Sequence, residues 1–82
     1  MTGFSRHVDN VMAKQSAGEV VSTTYGQKRD GTHFALVKTK VLWYAVRLII
    51  EGSYAVERDE FYLESAADNY IAAKKRALEG CF

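Results

Sequence analysis

Val41-Leu42-Trp43-Tyr44-Ala45-Val46-Arg47-Leu48-Ile49-Ile50-Glu51 is the stretch on which the fold turns. At helical spacing Leu42, Val46, Ile49 and Ile50 make one stripe. At period two, Leu42, Tyr44, Val46, Leu48 and Ile50 make an unbroken apolar face. β-Branched and aromatic residues dominate, and these favour a pleated chain whose side chains alternate between two faces. The stretch therefore predicts a strand over 41–51, either continuous with the strand before it through Thr39-Lys40 or set off by a tight turn. Alternation then puts Val41, Trp43, Ala45 and Ile49 on the second face, interrupted by Arg47.

Upstream, Glu19 to Tyr25 is rich in valine and threonine and reads as a strand. Asp30-Gly31 closes a polar hairpin tip, and Thr32 to Lys38 returns with Phe34 and Leu36 on one side. Downstream, Glu51-Gly52-Ser53 predicts a two-residue turn and Tyr54 to Arg58 the returning strand.

A helix is expected at each end. Phe4, Val8, Val11 and Met12 share one face between Thr2 and Ala17; Thr2 or Ser5 can cap the start, and Gly18 sits where a helix stops. Leu63, Ala66, Ala67, Tyr70, Ile71, Ala77, Leu78 and Cys81 recur at three- and four-residue steps, and Gly80 ends the helix. Acidic residues crowd the start of that segment and Lys74, Lys75 and Arg76 its end, as a helix dipole favours. Ser65 with Asp68 resembles a capping box, so the helix starts there or as early as Asp59. The expectation is one α+β domain over 1–82, ordered α-β-β-β(-β)-α. Its curved antiparallel sheet carries both helices on one face and leaves the other face free.

Composition narrows the function classes. Of 82 residues, 11 are basic and 10 acidic, so the net charge is +1, well short of the strongly basic balance of a dedicated nucleic-acid binder. The single cysteine, Cys81, allows no intramolecular disulfide and no cysteine zinc site, which suits a reducing cytoplasm. The longest apolar run carries Arg47 and is about half the ~20 residues of a membrane span. The N-terminus lacks the layout of a signal peptide. No phosphate loop, nucleophile elbow or zinc-protease motif is present. The reading is of a cytoplasmic protein that is not an enzyme and takes neither cofactor nor metal.

Each remaining constellation has a plain structural reading. His7 and Asp9 are two apart on a helix and do not face each other, so they read as a solvated face; a His7–His33 metal pair would lack a defined carboxylate. Lys74-Lys75-Arg76 can grip phosphates, or simply complement the helix dipole. Cys81 reads as a small hydrophobe. The aromatic set around Trp43 is the strongest functional signal. Trp, Tyr and Arg dominate protein–protein hot spots, and an apolar strip through Val41, Trp43, Ala45 and Ile49 would lie on the uncovered face.

Gly31-Thr32-His33, after a helix and a strand, is similar to the Gly-Ser/Thr-His element of the HicA-type toxin ribonucleases. That resemblance implies His33 as general acid or base in RNA cleavage, with Lys28 and Arg29 steadying the phosphate. The α-β-β-β-α order, with Val46 to Gly52 and then Ser65 to Leu78, looks like a double-stranded-RNA-binding domain in outline. Such domains place lysines at the start of the final helix, where Ala66-Ala67-Asp68-Asn69-Tyr70 stands here. The cations are replaced by a repulsive Asp68.

The resulting expectation is a small interaction protein occupying a surface on a larger protein or ribonucleoprotein, with self-association as a homodimer a close variant. Trp43, Arg47 and Tyr54 are its expected anchors. Asp59, Glu60, Glu64 and Asp68 are available to mimic phosphates, and Lys28 and Arg29 stand nearby in sequence to a hairpin tip. Small proteins of this kind include phage-encoded inhibitors of host factors, anti-CRISPR proteins among them, and adaptor subunits. The alternative is an RNA-binding or RNA-cleaving module using Lys28, Arg29, His33 and Lys74 to Arg76.

Overall fold

In a computed structural model that describes residues 3–15 and 18–80, the chain forms α1 (Gly3–Ala13), β1 (Glu19–Gln27), β2 (His33–Lys40), β3 (Tyr44–Ile50), β4 (Glu57–Phe61) and α2 (Glu64–Leu78). The four strands make one antiparallel sheet in the order β1-β2-β3-β4. The α+β order expected from sequence, with its fourth strand, is the order observed. That fourth strand breaks the α-β-β-β-α outline on which the likeness to double-stranded-RNA-binding domains rested.

The helices do not share a face. Phe34, Leu36, Val46 and Leu48 pack against Ala67 and Ile71 of α2. Ala35, Val37 and Ile49, at the opposite parity of the same two strands, pack against Phe4, Val8 and Val11 of α1. The central strands are apolar on both sides, so one helix layer would leave the other side wet. At roughly 1.5–3 kcal/mol for each large side chain buried, covering both sides is the favourable arrangement. The result is three layers with β2 and β3 buried between two helices. The expectation of two helices on one face, with a free sheet behind, is corrected accordingly.

The decisive stretch is a strand from 44 and a turn before it. Lys40 pairs with Tyr44, and the Val41 amide donates to the Trp43 carbonyl at 3.1 Å, so residues 41–43 form the turn. Trp43 is therefore not on the pleat. The expected turn at Glu51-Gly52 forms, the Ser53 amide donating to the Ile50 carbonyl at 3.0 Å, but the strand does not return at once and Tyr54 to Val56 lie outside it. Val56 packs into the α1 cluster and Tyr54 stands edge-on to His7, with ring centroids 5.3 Å apart, so this segment leaves the sheet to complete the α1 layer. β4 is the charged edge Glu57-Arg58-Asp59-Glu60-Phe61, a composition that discourages further strand pairing.

β1 and β2 close on the expected hairpin tip, Lys28 donating to the Thr32 carbonyl at 2.8 Å. The Thr32 amide also donates to Asp30 at 2.9 Å, and hydrogen bonding from Thr32, its amide first and then its hydroxyl, holds the Asp30 carboxyl below its usual value. Gly26 lies directly under the Phe34 ring, where any Cβ would collide.

α2 begins at Glu64, with Leu63 as its N-cap and no side-chain cap; Ser65 is already inside the helix. The capping box and the start at Asp59 are thus not adopted. Gly80 follows the helix at φ 79°, as the sequence predicted. Glu64 and Asp68 turn inward to Lys38, whose Nζ donates to them at 2.8 and 2.6 Å. The bond to Asp68, then that to Glu64, raises Lys38 above its ordinary value against the opposing effect of burial. Expectations involving Thr2, Ala17, Cys81 and Phe82 lie outside the described residues.

Candidate functional site

α1 covers one end of its sheet face and contributes no residue to the concavity at the other. The register sets the floor of that concavity. Val20 pairs with Thr39, Thr39 with Ala45, and Ala45 with Glu60, giving one row across all four strands on the α1 side. The adjacent row runs Val37, Arg47, Arg58. Trp43 folds over from the turn, and its indole Nε1–H donates to Glu60 Oε2 at 2.8 Å. Arg58 Nη2 donates to the same oxygen at 2.7 Å. Trp43, Leu42 and Val41 wall a hollow of about 200 Å³ over Thr39 and Ala45.

Arg47 lines this hollow and is 5% exposed. Its Nη1 donates to Thr39 Oγ1 at 2.7 Å, and the Thr39 hydroxyl faces the Ala45 carbonyl at 3.5 Å. Its Nε is buried and has no acceptor among the described residues. No carboxylate forms an ion pair with it among those residues. Burial pushes the Arg47 guanidinium below its usual value, and the charge of Arg58 acts in the same direction, while Glu60 opposes both. A guanidinium keeps its proton regardless, so an under-partnered positive charge lines a hollow of mixed apolar and polar walls.

The rim is apolar. Val20, Val21, Val41, Leu42, Trp43, Tyr62 and Leu63 are all between 40% and 88% exposed. They come from the start of β1, the 41–43 turn and the β4–α2 link, which the register brings to one end of the sheet. Gly18, at φ +75°, has the backbone freedom this junction needs; a Cβ there would meet Val41 and the Lys40 carbonyl. A second hollow, also about 200 Å³, lies between Trp43 and Tyr62 and continues the surface toward α2.

Trp43, Arg47 and Glu60 are thus brought together, and the other expected anchors are not. Asp59 faces the α2 side and accepts from the Tyr70 hydroxyl at 2.7 Å; burial, then that bond, pushes Tyr70 up to about 12. Tyr54 lies beside α1, under Lys14 at 5.7 Å and against His7. Lys28 and Arg29 sit at the hairpin tip, with the Arg29 side chain along Gly80. The carboxylates proposed as phosphate mimics each have a partner within the chain, Asp59 in Tyr70, Glu60 in Trp43 and Arg58, and Glu64 and Asp68 in Lys38.

Sequence reading missed Arg58, Thr39, Tyr62 and Leu63. The same-parity pair Arg58 and Glu60 was the available signal, and it was hidden by placing the returning strand too early. Of the residues of the RNA alternative, Arg29 lies along Gly80 just beyond the Lys74 to Arg76 run, but His33 is on the opposite side of the sheet. His33 stacks on Phe4 at 5.8 Å on the α1 side, whereas Lys74 and Lys75 on α2 pair with Glu57 at 3.7 Å and Glu79 at 2.9 Å. His7 also packs beside Phe4, and its Nε2–H donates to the Ser53 carbonyl at 3.1 Å. Among the described residues no group of three His, Cys, Asp or Glu is placed to hold a metal ion, and no helix is long and apolar enough to cross a membrane.

Compared with known proteins, the chain matches no family model, no curated protein and no solved structure.

Proposed function

We propose that this chain is a non-enzymatic binding protein that docks on a larger protein or protein–RNA machine through the apolar end of its sheet. The reading is carried by the concentration of exposed Val41, Leu42, Trp43, Tyr62 and Leu63 at one place in so small a molecule. Contiguous exposed apolar surface marks interaction sites, and Trp, Tyr and Arg are the residue types most enriched where binding energy concentrates. The size of the neighbouring hollows fits this use, since about 200 Å³ is below the roughly 300–1,000 Å³ of small-molecule sites. An inhibitor of a host factor, of the kind phages encode, or an adaptor subunit would work by such occupation.

The test is capture of the partner from the native host by tagged protein, set against the variant Leu42→Ser/Tyr62→Ser/Leu63→Ser. All three positions are exposed, so the variant is expected to melt with stability changed by only about 0.5 kcal/mol per site. It is expected to lose a protein that the wild type retains. Equal recovery by the two would overturn the proposal. Sedimentation of the wild type alone tests the close variant, in which the apolar end pairs with a second copy.

A further inference from the structure

We propose that the hollow beside Trp43 is a subsite for one carboxylate of the docked protein, received by the Arg47 guanidinium. This rests on the docking reading above and names the chemistry that reading leaves open. Arg47 is 5% exposed, is held at one end by Thr39 Oγ1 at 2.7 Å, and has a buried Nε without an acceptor among the described residues. Burying a cation in this state is costly, and the cost falls when an anion completes it. Glu60 is held elsewhere: its Oε2 accepts from Trp43 at 2.8 Å and Arg58 at 2.7 Å, and among the described residues it forms no ion pair with Arg47. These two bonds fix a wall of the hollow and keep it open.

The local charge selects the ligand. Arg47 and Arg58 against Glu60 leave one positive charge, which a monoanion neutralises. A guanidinium presents a planar fork of donors that matches a carboxylate, and such charge-assisted bonds are roughly twice as strong as neutral ones. The hollow of about 200 Å³ has room for a carboxylate and a short aliphatic stem against Ala45, Leu42 and Trp43. A nucleic-acid backbone would need cations repeated along a track. The rim instead offers Val41, Leu42, Tyr62 and Leu63. The carboxylate can come from an acidic side chain or from a chain terminus, which present the same group.

The test uses small probes and NMR of the whole chain, following the Arg47 Nε–H and Trp43 Nε1–H signals. N-acetyl-leucine carries the terminal carboxylate, N-acetyl-aspartic acid α-amide the side-chain one, and N-acetyl-leucinamide neither. One or both acids are expected to shift the two signals saturably with millimolar affinity, as suits a fragment of an interface. The stronger acid identifies the source. Arg47→Leu is expected to weaken binding about tenfold or more, the loss of a charge-assisted fork. If that variant does not fold, Arg47→Lys replaces it and is expected to bind several-fold more weakly, since it keeps the charge and loses the fork.

Equal shifts by leucinamide, preferred binding of inorganic phosphate, or no saturable shift at tens of millimolar would each overturn the subsite. None of these touches the docking reading, which stands or falls on partner capture by the Leu42/Tyr62/Leu63 variant.

Discussion

Lys38 and Arg47 are two buried cations on neighbouring strands, each 5% exposed, on opposite faces of the same sheet. On the α2 face Lys38 meets two carboxylates at 2.8 and 2.6 Å. On the α1 face Arg47 meets a threonine hydroxyl and, among the described residues, no carboxylate. Equal burial with unequal partnership separates two uses of a charge. Lys38 ties the first turns of α2 to the sheet and fixes where that helix sits. On the subsite proposed above, Arg47 would add little to folding for the solvation it gives up, its partner coming from outside.

Four experiments break or sharpen this contrast. The largest effect is expected on the Lys38 side. Glu64→Ala/Asp68→Ala leaves a buried ammonium without its anions, and urea unfolding is expected to show a loss of about 2–3 kcal/mol. That lies below the ~3–5 kcal/mol of a fully enclosed pair because the two carboxylates are half in water. A loss under about 0.5 kcal/mol, the level of an ordinary surface pair, would remove the distinction.

Arg47→Leu is the converse. It replaces an under-partnered charge by an apolar side chain among Val37, Thr39 and Ala45, and stability is expected to stay level or rise by about 1 kcal/mol. A fall of 3 kcal/mol or more, by the same urea measurement, would make Arg47 a structural residue like Lys38.

Trp43→Ala tests the wall of the hollow. With Trp43 41% exposed and one hydrogen bond to Glu60 removed, thermal unfolding is expected to report a cost of about 1–1.5 kcal/mol with the fold kept. Unfolding of the variant would place the indole in the core and remove the site.

The smallest effect is in pH. Lys38 has a folded value above its ordinary 10.5, so its contribution is complete below that pH and is lost as pH rises through the folded value. Arg47 stays charged over the same range. Tyr70, raised to about 12, also loses stability across that window, so the comparison belongs in a Tyr70→Phe background. There, a chain with Lys38 is expected to lose stability above pH 10.5 faster than the same chain carrying Lys38→Met. Parallel curves would mean that the ion pairs contribute nothing.

Element identity was written locally. The 3.6-residue spacing of Phe4, Val8 and Val11, the period-two run from Tyr44 to Ile50, the Asp30-Gly31 tip and the Gly80 stop each depend on neighbours within a few residues, and each is where the sequence places it. Trp43 and Arg47 stood out as candidates because an indole and a guanidinium are conspicuous in an apolar run, and the structure places both at one hollow. Layering was also present in the residues, as Ala35, Val37 and Ile49 are apolar at the second parity. A single strand does not say what covers that parity, and only packing put α1 there. The register of β4 was beyond local reading, because five mostly charged residues have weak strand preference and are set by pairing with β3. That register brought Arg58 and Glu60 under Trp43, where Glu60 bonds to Trp43 and Arg58 and, among the described residues, not to Arg47. Which charges find partners is a property of long-range contacts, and those exist only in the folded chain.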